Sequence, residues 1–495
     1  MSQLSIAKPF YAIKKTSLKY LTFILLSVIL INCKENSKTE LIVLNSGINS
    51  NEKQIELTQS VLKYVKYNSK VTALTNATVF DGNGNPAKEN QTLIIVNGYF
   101  QSIGQNSEID IPENATIINL KGKTIIPGIV GVHNHLHIPH FPFIGKEASK
   151  LYLASGVTTI QTCGSASPQK EIELSEKIKN GQSIGPNIVT SGPYFTGKGG
   201  NPNMIIPRDE KHIKDTIQYW TKKGVRWFKI YRNTKPKDLE IIIKEAHKHN
   251  AKVTAHLCSI TFEQAINLGI DGIEHGLNSA SDFRKNKTFG ICDGSREYID
   301  ELDINSQKVK RLHQLMIDKN VFLTSTLAIY EASIPEKSFA DKRTLNAMSP
   351  FLVSQYQERR KRFDNLKSND NLREKRLKRI MAFEHQFFKM GGTLAAGVDA
   401  GRHILPGFGD QRNFELLKNA GFTTEEVLKI MTSNGAKVLS NSEIGSIEKG
   451  KKADFVVIEG NIEKNIRNVK LVFKDGYGYD PKLILQDIKG KFGIE

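Results

Sequence analysis

The feature that most constrains the fold is a regular alternation of short apolar segments and amphipathic helical patterns between residues 126 and 441. Eight segments have the length and composition of buried strands. They span residues 125–133, 156–162, 187–191, 225–231, 252–257, 272–275, 321–327 and 393–399. Strands that alternate with helices pair in parallel, and eight such repeats predict an α/β fold, a (β/α)8 TIM barrel, over residues 125–440.

Both flanks of this region have a different, β-rich pattern. Residues 72–81 and 92–103 predict strands, the second of them broken into a hairpin at Asn97-Gly98. The chain returns to strand-like segments at 453–458 and 469–474. A few short strands bury a face poorly by themselves. We therefore expect residues 70–124 and 441–495 to form one small composite β-sandwich domain into which the barrel is inserted.

The first 32 residues contain four lysines and no acidic residue, and residues 20–31 form an apolar run. This pattern is typical of a secretory signal and is short for a transmembrane helix. The sequence Leu30-Ile31-Asn32-Cys33 resembles a bacterial lipobox, with Asn32 in place of the usual small residue. We expect 1–33 to be a lipoprotein-type signal peptide with lipidation at Cys33, and 34–69 to be a polar tether. The protein would then be exported and held on a membrane, periplasmic or at the cell surface; an uncleaved anchor or a plain secretory signal are the alternatives.

Charge and cysteine content narrow the set of partners. The net charge is +18, and the basic residues are densest in residues 359–379, where acids interrupt them. That spacing suits an exposed helical pair with a solvated face, and no nucleic-acid-binding motif is present, so no nucleic acid partner is expected. Apart from Cys33, the cysteines are Cys163, Cys258 and Cys292, and their spacing predicts no disulfide framework.

Metal-binding residue types follow the predicted strands at their carboxyl ends. His133 and His135 are two residues apart on the first strand, so their side chains point the same way. Barrel active sites are built where the carboxyl ends of the strands meet, so polar groups from the later strands should converge with them. The six candidates are His133, His135, Lys229, His256, His275 and Asp399. Neutral imidazoles and a carboxylate suit zinc or a similar divalent ion.

Lys229 is unusual in this set because an ammonium group has no lone pair for a metal. Reaction with CO2 would convert the amine to a carbamate, which can bridge two cations as a carboxylate does. Two metals that share a hydroxide supply a nucleophile near neutral pH and polarise a carbonyl group. Asp399 would bind one metal and carry the proton of that hydroxide to the leaving group.

Several of these segments resemble the strand-end signatures of the amidohydrolase superfamily, in that superfamily's order. They are IIPGIVGVHNHLH, LASGVTTIQTCG, GVRWFKIY, VTAHL, GIDGIEHG and AAGVDAG, and GSIEKGKKADFVVIEGN resembles the returning sandwich segment. The resemblance covers residues 70 to 480 and differs at Gln161-Thr162, where the family often has Arg-Asp. The lysine on strand four points to the imidazolonepropionase-like and prolidase-like subgroup.

This resemblance implies two divalent metal ions, Zn²⁺ by preference. His133, His135 and Asp399 would hold the more buried ion, and His256 and His275 the more exposed one. Carboxylated Lys229 would bridge the two.

Candidates for substrate binding lie just past the same strand ends. Tyr231 is two residues beyond Lys229, so its hydroxyl group is placed to stabilise a carbonyl oxygen as it becomes an oxyanion. Arg232, Arg402 and His403 are candidates for binding a substrate carboxylate, with surface solvation as the alternative. His137 and His140 follow the first motif and are candidates for the pocket wall, with loop packing as the alternative. Residues 277–304 predict a lid.

The sequence thus favours hydrolysis of an amide-type C–N bond in a small substrate, such as a dipeptide or N-acyl amino acid, by a metal-bridging hydroxide. One alternative is a mononuclear zinc deaminase of a nucleobase-like ring, against which Lys229 argues because one metal needs no bridge. Another is a non-catalytic ligand-binding surface lipoprotein, against which the complete set of six metal-binding residues argues. The expected partners are the small substrate and, through the lipid anchor, a membrane; a homo-oligomer is left open.

Overall fold

The computed structural model describes residues 55–137, 142–337, 340–366, 371–400 and 404–493. The predicted signal peptide with Cys33, most of the predicted tether, and the candidates His140, Arg402 and His403 lie outside these ranges. No helix in the described ranges is long and apolar enough to cross a membrane.

The described residues form seventeen strands. They are β1 Val65–Tyr67, β2 Val71–Val79, β3 Lys88–Val96, β4 Tyr99–Gln105, β5 Thr116–Asn119, β6 Lys123–Pro127, β7 Ile129–Asn134, β8 Val157–Thr162, β9 Asn187–Val189, β10 Trp227–Ile230, β11 Lys252–Ala255, β12 Gly272–Glu274, β13 Phe322–Ser325, β14 Leu394–Ala396, β15 Phe455–Glu459, β16 Val469–Lys474 and β17 Tyr477–Tyr479.

Helices connect most of these strands. They are α1 Gln59–Leu62, α2 Gly145–Ala154, α3 Pro168–Lys179, α4 Glu210–Lys222, α5 Pro236–Lys248, α6 Phe262–Asn267, α7 Tyr298–Glu301, α8 Gln307–Asp318, α9 Leu327–Glu331, α10 Lys342–Ala347, α11 Pro350–Asp364, α12 Leu372–Lys389, α13 Phe408–Asn419, α14 Thr424–Met431, α15 Ser433–Val438, α16 Ile462–Asn465 and α17 Pro481–Ile488. Two 3₁₀ helices, Gly276–Ser279 and Ser281–Phe283, follow β12. Capping boxes begin α6 at Thr261 and α14 at Thr423.

The two flanks of the chain share one mixed sheet of nine strands, in the order β1-β17-β16-β15-β6-β2-β3-β4, with β5 beside β2. Its β3–β4 connection is the predicted hairpin, with both Asn97 and Gly98 at positive φ. Along β15, Phe455 and Val457 belong to one apolar cluster, whereas Val456 and Ile458 belong to another. Because alternate residues point to opposite faces, β15 is buried on both sides.

The central region contains eight parallel strands in two sheets, β7-β8-β9 and β10-β11-β12-β13-β14. A parallel bridge between Ser191 and Trp227 joins β9 to β10. At the opposite edge, the backbone N–H of Asp399, past the end of β14, donates a hydrogen bond of 2.9 Å to the carbonyl oxygen of His133 in β7. The fold is therefore α/β, with one mixed sheet from the flanks of the chain and two parallel sheets from its central region.

Two predicted boundaries differ from the observed ones. The segment predicted as one strand over 125–133 is two strands, β6 in the mixed sheet and β7 in a parallel sheet. The chain changes sheet at Gly128, where a Cβ atom would lie 2.1 Å from the Thr158 hydroxyl oxygen. Residues 55–69, predicted as the end of a tether, form α1 and β1, and β1 pairs with β17.

The prediction that disulfides are absent is wrong, because Cys258 and Cys292 are bonded to each other. The spacing of the cysteines did not reveal this pair because the two residues meet only when the segment after β12 folds back. That segment, predicted as a lid over 277–304, holds both 3₁₀ helices and α7. The disulfide ties it to the end of β11.

Candidate metal centre

A cavity of about 310 Å³ lies at the carboxyl ends of the parallel strands. All six predicted metal-binding residues line it, together with the candidate Tyr231. The remaining lining residues are Tyr194, Met204, Asn278, Ile329, Tyr330 and Arg359. Six residues from five strand ends, separated by long stretches of sequence, are thus brought to one place.

The first cluster consists of His133, His135 and Asp399, whose ligand atoms lie within 4.8 Å of one another. The Oδ1 atom of Asp399 is 3.5 Å from Nε2 of His133 and 3.1 Å from Nε2 of His135. The other nitrogen of each ring forms a hydrogen bond. Nδ1 of His133 is 2.6 Å from the Glu274 carboxylate, and Nδ1 of His135 is 3.0 Å from the Tyr194 hydroxyl oxygen. Such outer contacts fix the ring orientation and leave Nε2 directed toward a shared ligand.

The second cluster is formed by His256 and His275, whose ring centroids are 4.6 Å apart. The His275 ring is 4.7 Å from that of His133, so the two clusters adjoin. Burial, followed by the charge of His133, lowers the pKa of His275 to about 3. Burial also lowers the pKa of His256 well below its usual value. Both imidazoles are therefore neutral and keep a lone pair for a cation.

Lys229 lines the same cavity as these clusters and is almost fully buried. Its Nζ atom is 3.1 Å from Sγ of Cys163 and 3.6 Å from Oε1 of Glu274. Burial disfavours the ammonium form, but the neighbouring Cys163 and Glu274 side chains outweigh it and raise the pKa of Lys229. Both side chains thus favour the protonated form of this lysine.

Glu274 is a central residue that the sequence analysis did not identify. Its carboxylate is fully buried and contacts His133, Lys229 and Cys163. Burial favours the neutral acid, but Lys229 and His133 outweigh it and hold the pKa of Glu274 well below its usual range. The sequence feature that could have indicated this residue is its position as an acidic residue at the end of β12, a strand that is buried along its whole length. A charged residue there requires charged partners.

The backbone at two of the predicted ligands is unusual. His275 has φ of +71° and Asp399 has φ of +48°, in the left-handed region that non-glycine residues rarely adopt. Each such residue costs on the order of 1–3 kcal/mol and persists only where the surroundings enforce it. The backbone on either side of the site is also closely packed: a Cβ atom at Gly397 would lie 2.3 Å from the backbone nitrogen of His133, so only glycine fits there. Strained residues of this kind cluster at functional sites.

Of the described substrate-binding candidates, one lines the cavity and two do not. Tyr231 lines the cavity with its ring 5.1 Å from that of His256. Arg232 is outside the set of lining residues and donates to Sγ of Cys292 at 3.7 Å. His137 is also outside that set, with Nδ1 2.8 Å from the Ser167 hydroxyl oxygen.

The sequence of this chain matches the model of the amidohydrolase family over residues 124–477. The chain therefore belongs to the amidohydrolase family. It is a hydrolase that acts on carbon–nitrogen bonds, and its six clustered residues include the histidines and the aspartate that suit a divalent metal.

Known proteins add to this assignment. The chain is 33% identical over 112 residues to an imidazolonepropionase of Clostridium tetani (strain Massachusetts / E88), a match that covers 20% of this chain and only 26% of that protein. Among solved structures, it is similar to a Xaa-Pro dipeptidase with bound methionine (TM-score 0.61, 18% identity, 83% of this chain and all of the other). It is also similar to A. niger ochratoxinase (TM-score 0.61, 17% identity, 86% of this chain and all of the other). At these identities the structures show a shared fold.

Proposed function

We propose that this protein hydrolyses an amide-type C–N bond in a small substrate, a dipeptide or an N-acyl amino acid, with the help of two divalent cations, Zn²⁺ by preference. One observation carries the proposal: His133, His135, Lys229, His256, His275 and Asp399 all line the same cavity. The structural similarity to a Xaa-Pro dipeptidase supports the choice of a dipeptide.

The donor set fits such cations. The first cluster offers two imidazole nitrogens and a carboxylate oxygen that lie within 4.8 Å of one another, from His133, His135 and Asp399. The second cluster offers the neutral rings of His256 and His275. Divalent cations bound here would make a hydroxide nucleophile available near neutral pH and polarise the scissile carbonyl group.

Within this cavity, Asp399 would accept a proton from the attacking water and deliver it to the leaving nitrogen. Its side chain is 20% exposed, whereas Glu274 is fully buried, so Asp399 is the carboxylate that a substrate can reach. The Tyr231 hydroxyl group would donate a hydrogen bond to the carbonyl oxygen as negative charge develops on it.

Lys229 would act as a carbamate that bridges the two cations. Its amine must lose its proton before it can attack CO2. In the protonated form, the amine contacts Glu274 and donates a hydrogen bond to Cys163. Its burial in the wall of the cavity that both histidine clusters line supports this role.

We further propose that the eight parallel strands close into one barrel and that the mixed sheet folds over itself as a β-sandwich. The bridge between Ser191 and Trp227 and the hydrogen bond from Asp399 to His133 support closure, because they join both pairs of sheet edges. The contact between Phe100 of β4 and Phe455 of β15, whose ring centroids are 5.9 Å apart in one apolar cluster, supports the sandwich because these two strands are not neighbours in the sheet. Export and lipid anchoring at Cys33 remain proposals from the sequence.

The test replaces Asp399 by asparagine. Asp399→Asn should bind close to the wild-type amount of zinc, because an amide oxygen still ligates, but it should lose turnover by about 10²–10⁴-fold because it cannot carry a proton. Metal content by elemental analysis and rates on a panel of dipeptides, N-acyl amino acids, lactones and cyclic ureas measure both effects.

A matched control is Asp410→Asn, which changes a fully buried carboxylate outside the cavity, at the start of α13. This control should keep its activity. Near-normal turnover by Asp399→Asn on the preferred substrate would contradict the mechanism.

A further inference from the structure

A second cavity of about 250 Å³ adjoins the metal cavity, and the two share Asn278 and Tyr330 in their walls. We call it the basic annex and define it by Asn278, Arg296, Tyr330, Arg373 and Arg376. Its other lining residues are apolar or neutral, and none of the described residues that line it is acidic. The two cavities are therefore neighbours that share part of one wall.

The three arginines of the annex are not equally compensated. Arg376 forms two hydrogen bonds to the Asp300 carboxylate, of 2.7 and 2.6 Å, which neutralise its charge. Arg296 instead donates to the backbone and side-chain oxygens of Asn278 at 3.1 and 2.7 Å. Arg373 stacks on Phe363, with its guanidinium carbon 5.3 Å from the ring centroid. Within the described ranges, neither Arg296 nor Arg373 forms an ion pair with a carboxylate.

The lining of the annex suits a short aliphatic stem that ends in an anion. It combines three apolar side chains, of Ile299, Leu377 and Ile380, with the three arginines. A carboxylate accepts paired N–H donors from a guanidinium group, and such charge-assisted hydrogen bonds are about twice as strong as neutral ones. Asn278 and Tyr330 line both cavities, so a stem that reached from one cavity into the other would pass beside them.

We propose that the basic annex binds a carboxylate that the substrate carries away from its scissile bond. The preferred substrates would then be dipeptides or N-acyl amino acids with an acidic side chain. This inference rests on the proposed function, since it names the substrate class of the same site. The arginines concerned belong to the run at 359–379 and to the segment after β12, which the sequence analysis treated as a solvated face and a lid.

The experiment compares dipeptides that contain glutamate with counterparts that contain glutamine at the same position, using the zinc-loaded full chain. The two side chains have nearly the same size, so the ratio of their kcat/KM values isolates the charge. We expect a ratio of at least about tenfold in favour of glutamate, as for one good charge-assisted contact. Arg373→Gln and Arg296→Gln should each lower the ratio, mainly through KM, and the double variant should bring it close to one.

The matched control is Arg311→Gln on α8, which removes the same charge from an exposed residue outside both cavities. It should leave the ratio unchanged. A second measurement, calorimetric binding of the glutamate and glutamine dipeptides to Asp399→Asn, gives the preference without turnover.

The outcomes separate the two proposals. Hydrolysis of the glutamine dipeptides with no preference for glutamate overturns the annex and leaves the proposed function intact. Absence of hydrolysis on every substrate overturns the proposed function, and the calorimetric preference then decides the annex by itself. Equal affinity for both dipeptides, or an equal loss of the ratio in Arg311→Gln, also overturns it.

Discussion

The two ends of the central parallel strands have opposite chemistry. At the amino ends, Trp227 begins β10 and Phe322 begins β13, and their rings pack edge to face with centroids 6.0 Å apart in a small apolar cluster. At the carboxyl ends, the same or neighbouring strands carry Lys229, Glu274 and the histidines. The strands thus have one end that stabilises the fold and another that carries buried charge at a cost.

Trp227 and Lys229 show this contrast within four residues of one strand. They are two positions apart, so both point to the same side of the sheet. Trp227 contacts apolar partners, whereas Lys229 contacts a thiol and a carboxylate. The difference teaches that position along a strand, and not burial, separates structural from functional residues here. Three substitutions test this conclusion.

The largest effect is expected from Lys229→Ala. Removal of the proposed bridge should reduce the zinc content from two ions toward one and lower turnover by several orders of magnitude, with a much smaller change in stability. Elemental analysis and initial rates measure the first two quantities, and urea denaturation the third. Partial recovery of the second zinc ion on addition of acetate or propionate would support a carbamate. Full activity with two zinc ions in the variant would remove the bridge from the proposal.

Trp227→Ala should have the opposite signature. Truncation of a buried tryptophan typically costs about 3–5 kcal/mol of unfolding free energy. The zinc content and the KM of the protein that remains folded should stay near wild type, because the predicted metal-binding residues lie at the other end of the strands. Urea denaturation measures the loss, and Trp227→Phe should recover most of it. A variant that is fully stable but lacks zinc would break the comparison.

The smallest effect is expected from Glu274→Gln, which sharpens the division because this residue contacts the predicted ligands without facing the substrate. Loss of its charge should loosen the orientation of His133 and weaken metal binding or activity by about 10–100-fold. Zinc affinity by competition with a chelator measures this, and added zinc should restore part of the rate. A variant with unchanged zinc affinity would show that Glu274 only balances the charge of Lys229.

Much of this arrangement could be predicted from the sequence. Strand periodicity and the spacing of polar residues at strand ends depend on local chain geometry, so the eight parallel strands and the placement of His133, His135 and Asp399 follow from them. The hairpin at Asn97-Gly98 and the capping boxes at Thr261 and Thr423 are local signals of the same kind.

Features that depend on long-range contacts could not be predicted. The bond between Cys258 and Cys292 requires the segment after β12 to fold back on β11. The interactions of Glu274 in β12 become visible only when the ends of β7, β8 and β10 are brought together around it. The run at 359–379 looked solvated because its charges alternate, yet Arg360 is buried and donates to the backbone oxygens of Ala332 and Ile334.

The mixed sheet has a consequence for how the polypeptide is made. Strand β6 pairs with β15, and β1 pairs with β17, so each of these early strands has a partner that follows the central parallel strands in the sequence. The edges of β1 and β6 that these partners cover must therefore stay unpaired until that later part of the chain has been synthesised. A stop codon just after β15 would spare every residue that lines the cavity of the predicted metal-binding residues and still leave β1 without its neighbour, so we expect proteolysis of the truncated product in the cell.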